Sequence, residues 1–524
     1  MNRLTRADSA ETGIADRALQ PSVLVMVGLL AGPFLTMVDA SVVNVATPSI
    51  VRSLHAELAT VQWTVSGYLL ALATTLAASA WLTRRFGSRT VYVICLAAFT
   101  IASVLCALAP NIQLLIAMRA VQGLAGAPLI PISMSMTMGG SSGVARQIQR
   151  SGAAAAVLLF LAPALGPSLG GILINAFGWP SIFLINLPFG LLGIIGALRI
   201  ADRFNLPADP TARFDPVGLT LLALGMSLAL YGAGRGASLG WTGPTIWPFW
   251  ASGLVLVSAY VIWAWRHPHP VLSLGSLRDG QTALSMALVT LVSIVSFSAL
   301  FLVPVLMQLI QGFSAFQAGL AMLPQGVTMG AGSALGAYVM KTGRIRLSVL
   351  GGSLALVATT AAMLLIQVKT PGWETALVLC GRGLAFGLIT QPLLVGMLGS
   401  LSQAESADAS TLFNVIQRLG GSFGIGLLAS MFAVRSTSRV EDALRGLQDS
   451  GASRTGSAAV ENALSTAFHD VVWALVAVSA LGILLAVLLG ARRVTAQVGG
   501  SPAAKTGPES PADGVAQTAT PQFP

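Results

Sequence analysis

Residues 81–90 read WLTRRFGSRT, and residues 338–347 read YVMKTGRIRL. In each, a short basic turn built around a glycine separates two long apolar runs. Arg85 and Gly87 correspond to Lys341 and Gly343 at an offset of 256. A second pair repeats the relation, VQGLAG at 121–126 with GRGLAF at 381–386, at an offset of 260. Similar offsets at corresponding runs argue for duplication. Apolar runs of about 18 residues or more are transmembrane-helix candidates, so the repeated unit is a set of membrane helices. Two halves of six helices follow, related by an axis along the membrane normal, and such parallel repeats hold a substrate site near the bilayer midplane between them.

Composition agrees. Of 524 residues, 54% are hydrophobic and 9% charged, with a mean hydropathy of +0.78; a soluble protein carries about 25% charged residues. Fourteen spans are predicted: 22–46, 61–82, 91–109, 112–138, 151–176, 180–200, 215–233, 245–265, 282–310, 315–340, 347–367, 374–400, 411–434 and 469–490. Spans seven and eight fall between the halves. The expected fold is thus an all-α polytopic membrane protein of 6+2+6 helices, two pseudo-symmetric halves around a central cavity. It divides into a cytoplasmic segment 1–21, an N-terminal half 22–200, a linker with two extra helices 201–281, a C-terminal half 282–490 and a tail 491–524. The tail is rich in Pro, Gly, Ala, Ser and Thr and is expected to be disordered. The first apolar run is followed by no small-residue cleavage site and reads as an uncleaved span.

The formal charge of +10 sorts by loop. With the N-terminus cytoplasmic, inward segments hold nineteen of the 29 Lys and Arg, among them Arg84, Arg85 and Arg89, while short outward loops hold only Arg52, Arg235 and Lys369. The positive-inside rule then places both termini in the cytoplasm. The basic excess sets topology and touches anionic lipid, and no nucleic-acid partner is expected. Cys95, Cys106 and Cys380 all lie in apolar spans, giving neither a disulfide framework nor metal spacing. No GK[ST] occurs, so the chain carries no ATP motor. His267 and His269 sit between prolines without further ligands, a loop and not a metal site. No Ser/His/Asp or HExxH signature is present, and no enzyme is expected.

Against this background Asp39, in MVDASVVNV at 37–45, stands out. A charged residue at a helix centre lies about 2.5–3.5 kcal/mol uphill on insertion scales. It must face the bundle interior, find a partner or take up a proton. Burial and a neighbouring arginine act oppositely on a carboxyl's proton affinity, so together they suit it to load and release protons; the alternative is a static ion pair that fixes helix packing. Arg119 in the fourth span is the natural partner. Gln122, one turn further on the same face, bonds either a substrate or another helix. Asn44, Gln122 and Arg382 are expected at the substrate cavity. Arg418 reads either as an interfacial anchor at a cytoplasmic helix end or as an in-span residue. In PALGPSLGG at 163–171, Pro163 and Pro167 bend the fifth helix while Gly166, Gly170 and Gly171 admit a close neighbour.

The order MVDASVVNVATPSI (37–50), WLTRRFGSR (81–89), RAVQGLAGAPLIPIS (119–133), PALGPSLGG (163–171) and WPSIFLINLPFG (179–190) resembles the fourteen-helix drug:proton antiporters of the major facilitator superfamily, the EmrB/QacA branch. The resemblance covers about residues 20–490. It implies proton-coupled efflux of hydrophobic or amphipathic small molecules across a bacterial inner membrane by alternating access, with protons as coupling ion and no cofactor; a dedicated exporter of one metabolite or antibiotic is the alternative. It also implies that Arg119 approaches Asp39, and that Arg84, Arg85, Gly87 and Arg89 and the 163–171 segment serve conformational change and export. The position of Arg84 usually carries an acid in this superfamily, while EmrB-like members accept a base. QacA-like exporters of dications carry a second carboxylate in the tenth span; here no Asp or Glu occurs between Gln281 and Trp373. EmrB-like carriers work with a periplasmic adaptor protein and an outer-membrane channel. VEDALRGL (440–447), within the outward segment 435–468, is the expected contact, or merely a hairpin capping the bundle.

Overall fold

The basic turns that betray the repeat share a backbone device. Gly87 has φ of 82° and Gly343 of 72°, a conformation that a side chain disfavours and glycine adopts freely. Each reverses the chain between antiparallel helices. The computed structural model describes residues 23–138, 166–199, 208–209, 211, 213–240, 243–398, 403–450 and 456–491. Segments 1–21 and 492–524, with Pro163, lie outside them.

The helices are α1 (Val23–Ser53), α2 (Trp63–Phe86), α3 (Ser88–Ala107), α4 (Ile112–Gly126, continued by Leu129–Met138), α5 (166–177), α6 (Asn186–Leu198), α7 (Pro216–Leu239), α8 (Trp247–Arg266) and α9 (Gly280–Val305). They continue as α10 (Ala315–Lys341), α11 (Ile345–Ala362), α12 (Gly372–Leu398), α13 (Gln403–Ser450) and α14 (Gly456–Ala491). No strand occurs among the described residues. Twelve helices among them are long and apolar enough to cross a membrane. The two short of that measure are α5, described only from 166, and α10, which dilutes its apolar residues with Gly, Gln and Thr.

The same pairings recur in the two halves. α2 packs on α4, α3 on α4, α1 on α6 and α3 on α6; correspondingly α10 packs on α12, α11 on α12, α9 on α14 and α11 on α14. The extra hairpin of α7 and α8 leans on α2 and α13 through α7. α1 meets α9, and α2 meets α13, where the halves join.

The join is sealed at one end, the end remote from both basic turns. Gln308 Nε2 donates to the Val45 carbonyl at 2.8 Å, from a π-helical turn, Leu306–Ile310, that follows Pro304. Ser168 Oγ donates to the Gly319 carbonyl at 3.0 Å, and Ser422 Oγ to the Ser66 carbonyl at 2.7 Å. Between α5 and α10 the backbones nearly touch. A Cβ on Gly171 would lie 2.4 Å from the Ala315 oxygen, and one on Gly319 2.2 Å from the Pro167 oxygen. Only glycine permits that approach.

The segment 435–468, expected as an outward loop, is instead mostly helix. α13 has 48 residues and α14 has 36. At 1.5 Å per residue these span about 72 and 54 Å, well beyond a bilayer core of about 30 Å. Both helices therefore continue past the membrane as a pair, clasped by Arg439 and Asp470 at 3.0 Å. Leu444 of VEDALRGL is exposed.

Candidate functional site

Asp39 lies midway along α1 with no exposed surface, and neither has Arg119 of α4. Arg119 Nη1 donates to Asp39 Oδ2 at 2.5 Å. The other carboxylate oxygen accepts from Gln122 Nε2 at 3.1 Å and Asn186 Nδ2 at 3.2 Å. Arg119 in turn donates from Nε to the Thr64 carbonyl at 2.9 Å and from Nη1 to Gln122 Oε1 at 2.8 Å. The ring of Tyr68 lies under its guanidinium, centroid 4.0 Å from Cζ, and Asn186 also donates to Ser103 Oγ at 2.9 Å. Helices α1, α4 and α6 thus meet at one carboxylate, with α2 behind Arg119 and α3 behind Asn186. A buried ion pair repays its desolvation only when further hydrogen bonds satisfy the remaining lone pairs and protons; here both carboxylate oxygens are occupied, while Arg119 Nη2 is buried without a hydrogen-bond partner.

The sequence points to Asp39, Arg119 and Gln122, and of the two readings of Gln122 it is the bond to another helix that the structure shows. Gln122, expected at the cavity, is fully buried in the cluster, because its i, i+3 relation to Arg119 aims both at the same carboxylate. Asn186, Thr64, Ser103 and Tyr68 were missed; the only signal for Asn186 is a lone amide in the apolar stretch IFLINLPFG.

The cavity lies on the other side of α1. It measures about 200 Å³ and is lined on that helix by Met37, Ala40 and Ser41, the i, i+3, i+4 face opposite Asp39. Phe297, Leu300, Met322, Met329 and Phe386 supply an apolar wall, and Arg382, Arg418, Gln325, Gln417 and Ser296 a polar one. Arg382 lines this cavity. Arg418 is not a terminal anchor: α13 begins at Gln403, so Arg418 sits about four turns inside it and lines the cavity. Asn44 shares the cavity-facing side of α1 one turn beyond Ser41 but is buried against its own helix, donating to the Ser41 carbonyl at 3.2 Å.

The 163–171 motif, described from Gly166, packs α5 against α1: a Cβ on Gly166 would fall on Ser41 Oγ, and one on Gly170 within 2.6 Å of Val42. Pro167 reaches the cavity wall. At the basic turn Arg89 Nη2 donates to the Leu198 carbonyl, fastening α3 to α6. Arg84 is exposed and shares a recess of about 210 Å³ with Asp209, Thr211, Arg213 and His269. The Asp209 amide donates to the Arg84 carbonyl at 2.7 Å. Hydrogen bonds from the Thr211 hydroxyl and amide, with Arg84 and Arg85 nearby, hold the Asp209 carboxyl below the usual range. An acid from the linker thus stands beside the turn where Arg84 replaces the customary one. His267 and His269 gather no ligand set, and no metal-binding cluster occurs among the described residues.

Comparison with known proteins fits this geometry. The chain is 34% identical over 405 residues to the multidrug resistance protein B homolog of Mycobacterium tuberculosis, covering 75% of this chain and 73% of that one. It is 28% identical to the methylenomycin A resistance protein of Bacillus subtilis, covering 81% and 90%. In fold it is similar to the inward-facing, unoccupied crystal structure of a bacterial homolog of the human lysosomal transporter Spinster, with TM-score 0.60 at 14% identity over 92% of this chain and 99% of that one. Residues 29–425 match the model of the Major Facilitator Superfamily. With that match, the recurring helix pairings and the cavity between the halves, the chain belongs to the Major Facilitator Superfamily, in its drug:proton antiporter branch.

Proposed function

We propose that this protein exports hydrophobic or amphipathic small molecules in exchange for protons, with Asp39 as the proton-carrying group and Arg119 as its partner in the deprotonated state. The observation that carries this is the sealed Asp39 cluster: an ionisable pair with 0% exposure, held by five helices in the middle of a membrane bundle. Intramembrane ionisable groups mark ion pathways by default. A proton crossing the membrane releases about 2.3 kcal/mol per 100 mV, which sustains a concentration ratio of roughly fifty.

The finer reading extends the fold. Fourteen spans in a 6+2+6 arrangement, with divisions at 22–200, 201–281 and 282–490, cytoplasmic termini and an inner-membrane location, explain the loop charges and the recurrent pairings. On that orientation the sealed end faces outward, and the cavity belongs to an inward-facing state. The helical extensions beyond the bundle are the candidate contact for a periplasmic adaptor. A dedicated exporter on the same scaffold is the second reading, favoured by the relative whose name mentions a single antibiotic. Everted vesicles containing the protein should accumulate N-phenyl-1-naphthylamine only while a proton gradient is maintained, and Asp39→Asn should abolish that accumulation while still reaching the membrane. Uptake that ignores the gradient would refute proton coupling, and a substrate-profile assay in a pump-deficient host separates the two readings.

A further inference from the structure

The duplication exposes an asymmetry of charge. In the first half, Arg119 of α4 reaches α1 and finds Asp39. In the second half, Arg382 of α12, which the 260 offset matches to Gln122 of that cluster, finds only uncharged acceptors: its Nη2 donates to the Val295 carbonyl of α9 at 3.1 Å and its Nη1 to Thr360 Oγ1 of α11 at 2.7 Å. Val295 stands 256 positions after Asp39, the same offset that relates the basic turns. Where the first half supplies a carboxylate, the second supplies none.

Nothing nearby replaces it. Between Gln281 and Gln403 the sole acid is Glu374, eight residues before Arg382 on the same helix, or about 12 Å along the axis. The nearest described acid on α13 is Asp408, ten residues before Arg418, or about 15 Å. Neither Arg382 nor Arg418 forms an ion pair among the described residues. Arg382 is 1% exposed, and an isolated buried charge is costly unless something pairs with it. Both arginines line the cavity. Among the lining atoms two donors are buried and unbonded, Arg382 Nε and Ser296 Oγ, as is one acceptor, Gln325 Oε1. Interleaved with them on the same helices stand Phe297, Phe386, Met322 and Met329, Phe386 one turn from Arg382 and the methionines one turn either side of Gln325, an aromatic and polarizable surface suited to a flat apolar body.

We infer that the cavity is an anion site and that the exported compounds are amphipathic acids: a carboxylate, sulfonate or phenolate seats between Arg382 and Arg418, taking the place that Asp39 fills in the other half, while an aromatic body lies on the phenylalanines and methionines. The inference deepens the efflux reading by naming its substrate class.

The test is a binding measurement on the full chain in lipid nanodiscs, so it needs no transport. 1-Anilinonaphthalene-8-sulfonate and N-phenyl-1-naphthylamine share one aromatic skeleton and differ in the anionic group. The protein should bind the sulfonate tighter by about tenfold or more over empty nanodiscs, the factor a charge-assisted hydrogen bond supplies. Arg382→Gln and Arg418→Gln should each lower sulfonate affinity by about tenfold and leave the neutral compound within about twofold. Arg382→Lys should retain most of the preference. Equal affinity for the two probes in the unaltered protein, or parallel loss of both in the variants, would overturn the inference. Should the glutamine variants not assemble, the unaltered protein and Arg382→Lys still decide it. Failure of this reading and of proton coupling stay separable: loss of gradient-driven uptake with the preference intact strikes only the latter, and gradient-driven export of the neutral compound without the preference strikes only the former.

Discussion

Asp39→Asn sets a carboxamide where a carboxylate accepts three donors. Oδ2 takes Arg119 Nη1 at 2.5 Å; Oδ1 takes Gln122 Nε2 at 3.1 Å and Asn186 Nδ2 at 3.2 Å. An amide offers one oxygen and one NH₂. With the oxygen toward Gln122 and Asn186, the NH₂ opposes the guanidinium, donor against donor; the reverse orientation opposes two amide donors. Either way Arg119 keeps its charge and loses its counter-ion in a site without solvent, and breaking a buried pair from one side costs about 3–5 kcal/mol. The Tyr68 contact at 4.0 Å is present before and after the change and offsets nothing. Arg119→Met strands the carboxylate at a similar cost. The double variant Asp39→Asn with Arg119→Met removes both charges, and replacing a buried pair by uncharged groups of similar volume is often neutral or stabilising. Thermal unfolding in nanodiscs should therefore show each single variant less stable than the double, a coupling of about 3 kcal/mol or more. Transport should fail in all three. Losses that simply add would refute the energetic unit. A double variant that recovers stability and still drives proton-coupled export would reduce the pair to packing.

Three further outcomes are expected. Gly319→Ala puts a Cβ 2.2 Å from the Pro167 oxygen; overpacking of about 1–3 kcal/mol shifts the sealed equilibrium by roughly five- to a hundredfold, read as faster modification of an Ala315→Cys reporter by a membrane-impermeant thiol reagent, and unchanged labelling would show that this contact does not hold the end shut. Because its folded carboxyl is depressed below 3.8, the stabilisation at Asp209 is complete above that value and is lost only as pH falls through the still lower folded one; Asp209→Asn should leave the transport profile between about pH 6 and 8 superimposable on that of the unaltered protein, and a displaced profile would refute the assignment. Exchange of one anion outward for one proton inward moves two charges, so an imposed potential contributes about 4.6 kcal/mol per 100 mV, and in proteoliposomes a potassium diffusion potential should drive export of the sulfonate probe more steeply than that of its neutral analogue.

What the sequence discloses depends on the reach of each signal. The duplication is legible because Gly87 and Gly343 are forced by backbone reversal and their basic neighbours by topology. Asp39 is legible because a carboxylate among apolar residues has few uses, and Arg119 because a partner was required. Asn186 was not, since an amide in a membrane span ordinarily bridges helices and only the fold brings it to a residue 147 positions away. A helix start expected at 411 leaves both readings of Arg418 open, and the start at 403 sets it within the helix. Polarity alone assigns Asn44 and Gln122 to the cavity; Asn44 does share the side of α1 that opens there but spends its amide on the Ser41 carbonyl, and Gln122 turns to the ion pair.

That division of faces bears on how the two sites communicate. No hydrogen bond among the described residues joins the Asp39 cluster to the cavity wall, so their shared element is α1 itself. On one face α1 carries Asp39, gripped by α4 and α6; on the other it presents Met37, Ala40 and Ser41 to the cavity. Further along, α5 presses Gly166 and Gly170 on Ser41 and Val42, and Gln308 of the second half bonds the Val45 carbonyl. With Asp39 as the proton-carrying group proposed above, its protonation would remove the charge that Arg119 answers and free α1 on its closed face. Any displacement that follows moves the cavity wall and loosens the Gln308 seal together, because all three are borne by residues 37–45. A charge held to α1 by an ion pair, and a seal held to α1 by glycine contacts and one carbonyl, are the two loads an exchange carrier must keep from being released independently.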